Sequence, residues 1–176
     1  SGNIGKVNNS EILLRAAIVL NKLRRNDIVI LLIGDGQLKQ EIIEKSLGLE
    51  TIIILDPISK IDLVNYVKNS FVSLIPLDDV PVLSTSSPNK LFESMAAGVP
   101  IIQTTSGWIK DMLIKSDSGF TVCARNENEL VEKIIFLADN KQRTKQLGEN
   151  AHNYAKNNFN KNFLARKMIK SIEEII

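Results

Sequence analysis

The fold can be inferred from one stretch of sequence, Asn89-Lys90-Leu91-Phe92-Glu93-Ser94-Met95-Ala96-Ala97-Gly98-Val99-Pro100-Ile101-Ile102-Gln103. Its first part predicts a helix over 89–97, because Gly98 and then Pro100 end helices. Its second part, 99–103, is a short apolar run that predicts a strand buried on both faces. A helix that leads directly into such a strand is typical of a parallel sheet covered by helices.

The same alternation continues in both directions along the chain. Four further apolar runs predict strands at 28–33, 51–55, 71–75 and 119–122. Helical patterns occur at 11–23, 38–47, 61–67, 127–138, 142–157 and 161–176. We therefore predict an α/β fold: a Rossmann-like, doubly wound parallel sheet flanked by helices, with extra C-terminal helices. Ligands of such sheets bind at the carboxyl ends of the strands.

Composition excludes several classes of function. The 176 residues are 44% hydrophobic and carry 22 Lys and Arg against 20 Asp and Glu. This balance suits one domain and argues against nucleic acid as a partner. The sequence has one cysteine, Cys123, and one histidine, His152. An internal disulfide, a histidine triad and a metal site are therefore not expected. We expect no cofactor and a cytoplasmic setting. The chain opens without Met, which we interpret as a cut from a longer protein.

The first loop whose residues could bind a ligand is Ser1-Gly2-Asn3-Ile4-Gly5-Lys6, ahead of the first helix. Gly2 and Gly5 would let a phosphate approach backbone N–H groups, and Lys6 would add a positive charge. On this loop alone, a plain turn with an exposed lysine is the favoured interpretation. A second loop, Gly34-Asp35-Gly36-Gln37, lacks a third correctly spaced glycine, so we interpret it as a structural turn.

The third loop carries the strongest signal. Ser87 is a good N-cap residue and Pro88 suits the first helical position. Glu93 follows beside an apolar flank of Leu91, Phe92, Met95 and Ala96. Its carboxylate can accept both hydroxyl protons of a ribose, and Lys90, three residues earlier on a neighbouring face of the helix, could point towards a phosphate. A simple Lys90–Glu93 ion pair on the surface explains the pattern equally well.

The segment Pro88-Asn89-Lys90-Leu91-Phe92-Glu93, followed by Ser94-Met95-Ala96-Ala97-Gly98-Val99-Pro100, resembles the signature of the retaining glycosyltransferases called group 1 or family 4. Its form is similar to the bacterial branch that builds capsules and O-antigens. Weaker matches follow the family's order at 1–5, 33–36, 106–111 and 118–122. The resemblance implies one half of a GT-B fold, in which two Rossmann-like domains face each other across a cleft.

One position departs from this family pattern. The family's first Glu should fall at position 85, where Thr85 stands. That Glu usually lies near the donor sugar or its phosphate. Backbone amides of 84–87, with the hydroxyls of Thr85 and Ser86, are our candidates to serve that region.

The resemblance implies that 1–176 is the nucleotide-sugar-binding C-terminal domain, without its N-terminal acceptor domain. The donor would be a nucleoside diphosphate sugar, most simply a UDP-sugar. Transfer of a hexose-type sugar would be retaining and metal-independent, to a glycan or lipid-linked acceptor. Glu93 and Lys90 would be the catalytic pair, and the isolated domain would transfer nothing. The expected donor-binding residues are Gly2, Asn3, Gly5, Lys6, Pro57, Ile58, Thr85, Ser86, Ser87 and Asn89.

Two other interpretations remain open on the sequence: a non-catalytic partner subunit with a degenerate site, and half of a UDP-sugar epimerase. A flavodoxin-like regulatory domain is disfavoured, because it would need an acidic cluster at the first strand ends, which the sequence lacks. The last helix carries an apolar stripe of Phe163, Leu164, Met168, Ile169, Ile172, Ile175 and Ile176. We expect it to dock on the domain's own sheet; the alternatives are that the stripe is left exposed or that it forms a homodimer contact. The full-length protein would be cytoplasmic or at the inner face of the plasma membrane.

Overall fold

A computed structural model describes residues 1–173 and has the predicted α/β class. The strands are β1 Gly2–Asn3, β2 Ile30–Asp35, β3 Ile52–Leu55, β4 Ser73–Ile75, β5 Ile101–Gln103 and β6 Gly119–Thr121. The helices are α1 Ser10–Lys22, α2 Lys39–Lys45, α3 Lys60–Lys68, α4 Asn89–Ala96, α5 Trp108–Ser116, α6 Glu127–Asp139, α7 Lys141–Asn158 and α8 Lys161–Glu173. A 3-10 helix spans Pro81–Thr85.

All strand pairings are parallel, as predicted. The hydrogen-bonded strands form two three-stranded sheets, in the orders β1-β2-β3 and β4-β5-β6, where one continuous sheet was expected. A backbone hydrogen bond joins the loops that follow β1 and β4, because Asp78 N–H donates to the Val7 carbonyl at 3.0 Å. The ends of β1 and β4 therefore lie at the same edge of the domain, where the candidate loops are.

Two groups of buried side chains form the core. One lies around α1, α6 and the β2-β3 pair and includes Ile12, Leu20 and Ile134. The other lies among α4, α5, α7 and the β4-β5 pair and includes Leu91, Met95 and Ile109. Gly98 ends α4 in the left-handed region at φ 74°, as the sequence predicts. A Cβ on Gly148 of α7 would lie 2.1 Å from the Gly98 carbonyl oxygen, so these helices pack closely.

The prediction that α8 docks on the domain's own sheet is wrong. None of its residues is buried, and Phe163, Leu164, Met168, Ile169 and Ile172 are all exposed. Ile175 and Ile176 of the predicted stripe lie outside the described residues. Across residues 1–173, none of the helices has the length and apolar character that crossing a membrane requires.

Candidate functional site

Helix α4 presents its first turn without a side-chain cap. The helix begins at Asn89 with Pro88 as N-cap, so the predicted cap by Ser87 and the placement of Pro88 inside the helix are wrong. Pro88 has an extended backbone with ψ 130°, which moves the helix start one residue later than expected. Within the described residues, no side chain accepts from the first N–H groups of α4. Such groups attract anions, helped by the helix dipole.

Glu93 is exposed on α4 and meets a lysine from another helix. The Lys60 ammonium lies 3.7 Å from a Glu93 carboxylate oxygen, and the two side chains are 83% and 48% exposed. Lys60 begins α3, which Ser59 caps by accepting from Asp62 N–H at 3.2 Å. An ion pair this open to water is worth about 0–1 kcal/mol. Glu93 can therefore exchange this partner for another at little cost.

Lys90 does not pair with Glu93, so the alternative of a simple Lys90–Glu93 ion pair is wrong. Its ammonium instead donates to the Asn8 side-chain oxygen at 3.4 Å. Burial lowers the pKa of Lys90 from its ordinary value, because a charged ammonium loses water there. This partly desolvated cation beside the first loop is suited to an anion.

The first loop is fixed by its own hydrogen bonds. Gly5 N–H donates to the Ser10 hydroxyl at 3.1 Å, and the Asn8 side chain donates to the Asn3 carbonyl at 2.8 Å. The amide of Gly5 is therefore already used and is not free for a phosphate, contrary to our expectation for this residue. Lys6 is exposed at the edge of the loop.

The Gly34-Asp35-Gly36 turn is structural, as the sequence analysis concluded. A Cβ on Gly34 would lie 1.9 Å from the Gly2 carbonyl oxygen, and one on Gly36 would lie 2.4 Å from the Asn3 side-chain oxygen. Both glycines also have φ near 150°. They allow β2 to approach the first loop, and that approach sets the position of Asn3.

The 84–87 loop is anchored by Trp108, which is not among the predicted site residues. The Trp108 indole N–H donates to the Ser86 carbonyl at 2.9 Å, and its ring stacks on Phe92 at 6.2 Å. The Thr85 hydroxyl donates to the Val82 carbonyl at 2.9 Å, inside the 3-10 helix. Thr85 and Ser87 are exposed and Ser86 is half-buried. Trp108 therefore links α4, α5 and the loop at position 85.

Pro57 and Ile58 lie in the loop between β3 and α3. Pro57 is exposed and Ile58 half-buried. The preceding Asp56 pairs with Lys39, which holds the pKa of that carboxyl below its ordinary value. The Lys60–Glu93 contact brings the end of this loop next to α4.

A cavity of about 700 Å³ unites part of the predicted set. It is lined by Gly2, Asn3, Lys90 and Glu93, together with Asn8. The remaining predicted residues, which are Gly5, Lys6, Pro57, Ile58, Thr85, Ser86, Ser87 and Asn89, do not line it. Within residues 1–173, no three His, Cys, Asp or Glu side chains are grouped so as to hold a metal ion.

Comparison with known proteins agrees with this architecture. HepE (Alr3699) of Anabaena, solved in complex with UDP, superposes with a TM-score of 0.75 at 17% identity, over 98% of this chain and 48% of its own. The C-terminal domain of LpcC, a group 1 glycosyl transferase family protein of Francisella tularensis, superposes with a TM-score of 0.73 at 16% identity, over 92% of this chain and 84% of its own. These likenesses establish the fold of a GT-B glycosyltransferase domain.

Sequence comparison identifies the family. An uncharacterized glycosyltransferase of Methanocaldococcus jannaschii, MJ1178, is 29% identical over 143 residues, which are 79% of this chain and 39% of that protein. The chain therefore spans less than half the length of this relative. The family model for group 1 glycosyl transferases matches residues 1–140, most of the sequence. The chain belongs to the group 1 glycosyl transferase family.

Proposed function

We propose that this chain is the C-terminal, donor-binding domain of a retaining, metal-independent glycosyltransferase. It would bind a UDP-sugar, whose hexose is then passed to a glycan or lipid-linked acceptor in bacterial capsule or O-antigen synthesis. The observation that carries the proposal is the separation of Lys90 and Glu93 on α4. One is partly buried against the first loop, and the other is exposed with an easily replaced partner.

Glu93 would receive the ribose of the donor. A carboxylate accepts hydrogen bonds only, so two ribose hydroxyls can both donate to it. Hydrogen bonds to a charged group are worth about 1.5–3 kcal/mol, more than an open ion pair contributes. Binding would therefore displace Lys60 from Glu93 rather than compete with it on equal terms.

Lys90 would stabilise the diphosphate. Charge develops on the leaving diphosphate as the sugar departs, and donors held in place before the reaction stabilise that charge most. Lys90 is held by Asn8 and partly removed from water, which strengthens its field. The uncapped first turn of α4, with Asn89 and Ser87, and the exposed Lys6 would add further donors.

The base and the sugar of the donor would lie on the two sides of Lys90 and Glu93. Pro57 and Ile58 would border the base, since their loop ends at the Lys60–Glu93 contact. The hydroxyls of Thr85 and Ser86 would face the donor sugar, replacing the carboxylate that the family pattern has at position 85. An incoming sugar hydroxyl would have to compete for Thr85 with the Val82 carbonyl.

Sugar transfer would require parts of the full-length protein that lie outside this chain. The chain spans 39% of MJ1178 and 48% of HepE, so the acceptor side would be supplied elsewhere in the full-length protein. A lipid-linked acceptor would place that protein at the inner face of the plasma membrane. We expect the chain by itself to bind donor and to transfer nothing.

Calorimetric titration with UDP, GDP and ADP tests the proposal. We expect saturable binding of UDP, at least about tenfold tighter than that of ADP or GDP. Glu93→Ala should remove it. Glu132→Ala is the matched control, because Glu132 is an exposed glutamate that pairs with its neighbour Lys133. Absence of binding by all three nucleotides, or equal loss in both variants, would contradict the proposal.

A further inference from the structure

The 84–87 loop has little packing of its own. Every residue of the 3-10 helix Pro81–Thr85, which runs into this loop, is at least partly exposed to solvent. The hydroxyls of Ser84 and Thr85 donate to carbonyls inside the same short helix, so they do not tie it to the rest of the domain. Segments with so little buried apolar contact are among the least stable parts of a fold. The position of this loop therefore depends on the elements beside it.

The start of α5 holds the loop on both sides of Thr85. The Trp108 indole N–H donates to the Ser86 carbonyl at 2.9 Å. Gly107, the residue before α5, lies against the Ser84 backbone, which leaves no room for a side chain between them. Since Ser84 and Ser86 are the two neighbours of Thr85 in the chain, these two contacts set where the backbone of Thr85 runs.

The turn that leads into α5 is rigid, because its polar groups are buried and paired. Gln103, the last residue of β5, accepts from the N–H and the hydroxyl of Thr105, both at 2.6 Å, and donates to the Thr105 carbonyl at 2.7 Å. The Thr104 hydroxyl donates to the Leu77 carbonyl and accepts from Leu77 N–H, both at 2.7 Å. A buried polar network that is satisfied in this way specifies one arrangement. Trp108 therefore projects from a fixed base.

The ring of Trp108 connects the loop to α4. It stacks on Phe92 with the ring centroids 6.2 Å apart, and Phe92 packs edge-on against Phe159 at 4.7 Å. Phe92 directly precedes Glu93 in α4. The 84–87 loop and the helix that carries Glu93 are thus braced by one side chain.

We propose that Trp108 is a positioning residue for the sugar of the donor: through the Ser86 carbonyl, it sets how the 84–87 loop meets that sugar. The inference rests on the proposed function, in which the hydroxyls of Thr85 and Ser86 face the donor sugar. Trp108 itself would touch neither the sugar nor the nucleotide. Binding groups act well only when they are held within about 0.5 Å of the right geometry, so loss of the indole N–H would weaken the sugar contacts.

The nucleotide contacts do not depend on this hydrogen bond. Helix α4 is held by the fully buried side chains of Leu91 and Met95. Glu93 and Lys90 therefore keep their positions when the indole N–H of Trp108 is lost, and so do the ribose and diphosphate contacts proposed for them. The affinity for a UDP-sugar should fall, while the affinity for UDP alone should stay nearly the same.

Calorimetric titration with UDP, UDP-glucose and UDP-N-acetylglucosamine tests the proposal. Trp108→Phe removes the indole N–H and keeps an aromatic ring beside Phe92. Ser116→Ala is the matched control, because it removes a hydroxyl that donates to the Met112 carbonyl further along α5. In Trp108→Phe, we expect the affinity for the better-bound UDP-sugar to fall at least about fivefold. The affinity for UDP should change less than about twofold, and the control should change neither affinity.

The fluorescence of Trp108 is a second measurement, made on the unaltered chain. Trp108 is the only tryptophan in the sequence, so the emission reports on this position alone. We expect the better-bound UDP-sugar to change the emission more than UDP does, since the sugar meets the loop that Trp108 holds. An equal change with both ligands, or no change with either, would overturn the proposal even where Trp108→Phe fails to fold.

The calorimetric outcomes separate this proposal from donor binding itself. Equal losses of affinity for UDP and the UDP-sugar in Trp108→Phe, or unchanged affinity for both, would overturn the positioning role and leave donor binding intact. The same loss in Ser116→Ala would also overturn it. If the unaltered chain binds no UDP, both proposals fail, and this result is seen before any substitution is made.

Discussion

Helices α3 and α4 contrast sharply, although they are similar in length and meet at the candidate site. In α4, Leu91 and Met95 are fully buried in the core around Ile75 and Ile109. In α3, no residue is buried, and Ile61 is 78% exposed. One helix is held by a packed core, while the other has no buried residue.

This contrast shows how the two sides of the candidate site differ. The groups proposed to contact ribose and phosphate, Glu93 and Lys90, project from the well-packed helix. Lys60, which holds Glu93 in the free chain, comes from the loosely packed one. Local stability follows buried apolar contact, so α4 should keep its position when α3 moves.

Truncation of one leucine in each helix should give the largest difference, which is measured in the free energy of unfolding. Leu91→Ala should lower the free energy of unfolding by about 3 kcal/mol, because it empties a buried core position. Leu63→Ala, at a half-buried position of α3, should cost less than about 1 kcal/mol. Urea unfolding of the two variants measures both. Equal losses would contradict the contrast, and a Leu63→Ala loss below that of any other variant in α4 would sharpen it.

Lys90→Met should separate stability from binding. At neutral pH the partly buried ammonium destabilises the folded chain, as its lowered pKa indicates. The variant should therefore unfold about 2–4 °C higher while its affinity for UDP falls about fivefold or more. Thermal unfolding and calorimetry measure the two effects. Lys110→Met, at an exposed position on α5, is the control and should change neither. A lower unfolding temperature for Lys90→Met would contradict this account.

The pH dependence of stability should show a smaller effect, which comes from the amino group of Ser1. The pKa of the Ser1 amino group falls to about 6 in the folded chain from an ordinary value of 8.0. Between these values the unfolded chain binds more protons, so this group makes stability rise as pH increases from 6 to 8. Acetylation of the amino terminus should remove this part of the rise, about 1–2 °C. Identical pH profiles for the acetylated and free chains would show that the amino group is well solvated.

The alternation of strands and helices was predictable because apolar runs and glycine stops are local signals. Gly98 ends α4 and the predicted strands occur, most of them shorter than expected. Helix α5 was missed: the segment 106–111 was noted only as a weaker family match, yet a helix begins there after Gly107, whose φ is 91°. A Cβ on Gly107 would lie 2.8 Å from the Ser84 carbonyl oxygen. That approach depends on a distant loop, which no local pattern contains.

The residues of the candidate site could be predicted from their types, but the side chains with which they pair could not. Lys90 and Glu93 line one cavity with Gly2 and Asn3, and this grouping follows from the order of parallel strands. The partners Asn8 and Lys60 come from segments distant in sequence. Ser87 was chosen as a cap from its type alone, while the backbone of Pro88 decides where α4 begins. The break between the two sheets has no local signal, since it depends on which strand edges are paired.

The most direct test of the donor-binding account is titration of UDP into Glu93→Gln and Lys60→Met. Glu93→Gln keeps the shape of the side chain and removes its charge, so we predict at least about a tenfold loss of affinity. Lys60→Met removes only the exposed partner and should change affinity by less than about threefold. This pattern would identify Glu93 as a ligand group rather than half of a surface ion pair. Unchanged affinity in Glu93→Gln, or an equal loss in both variants, would contradict the account.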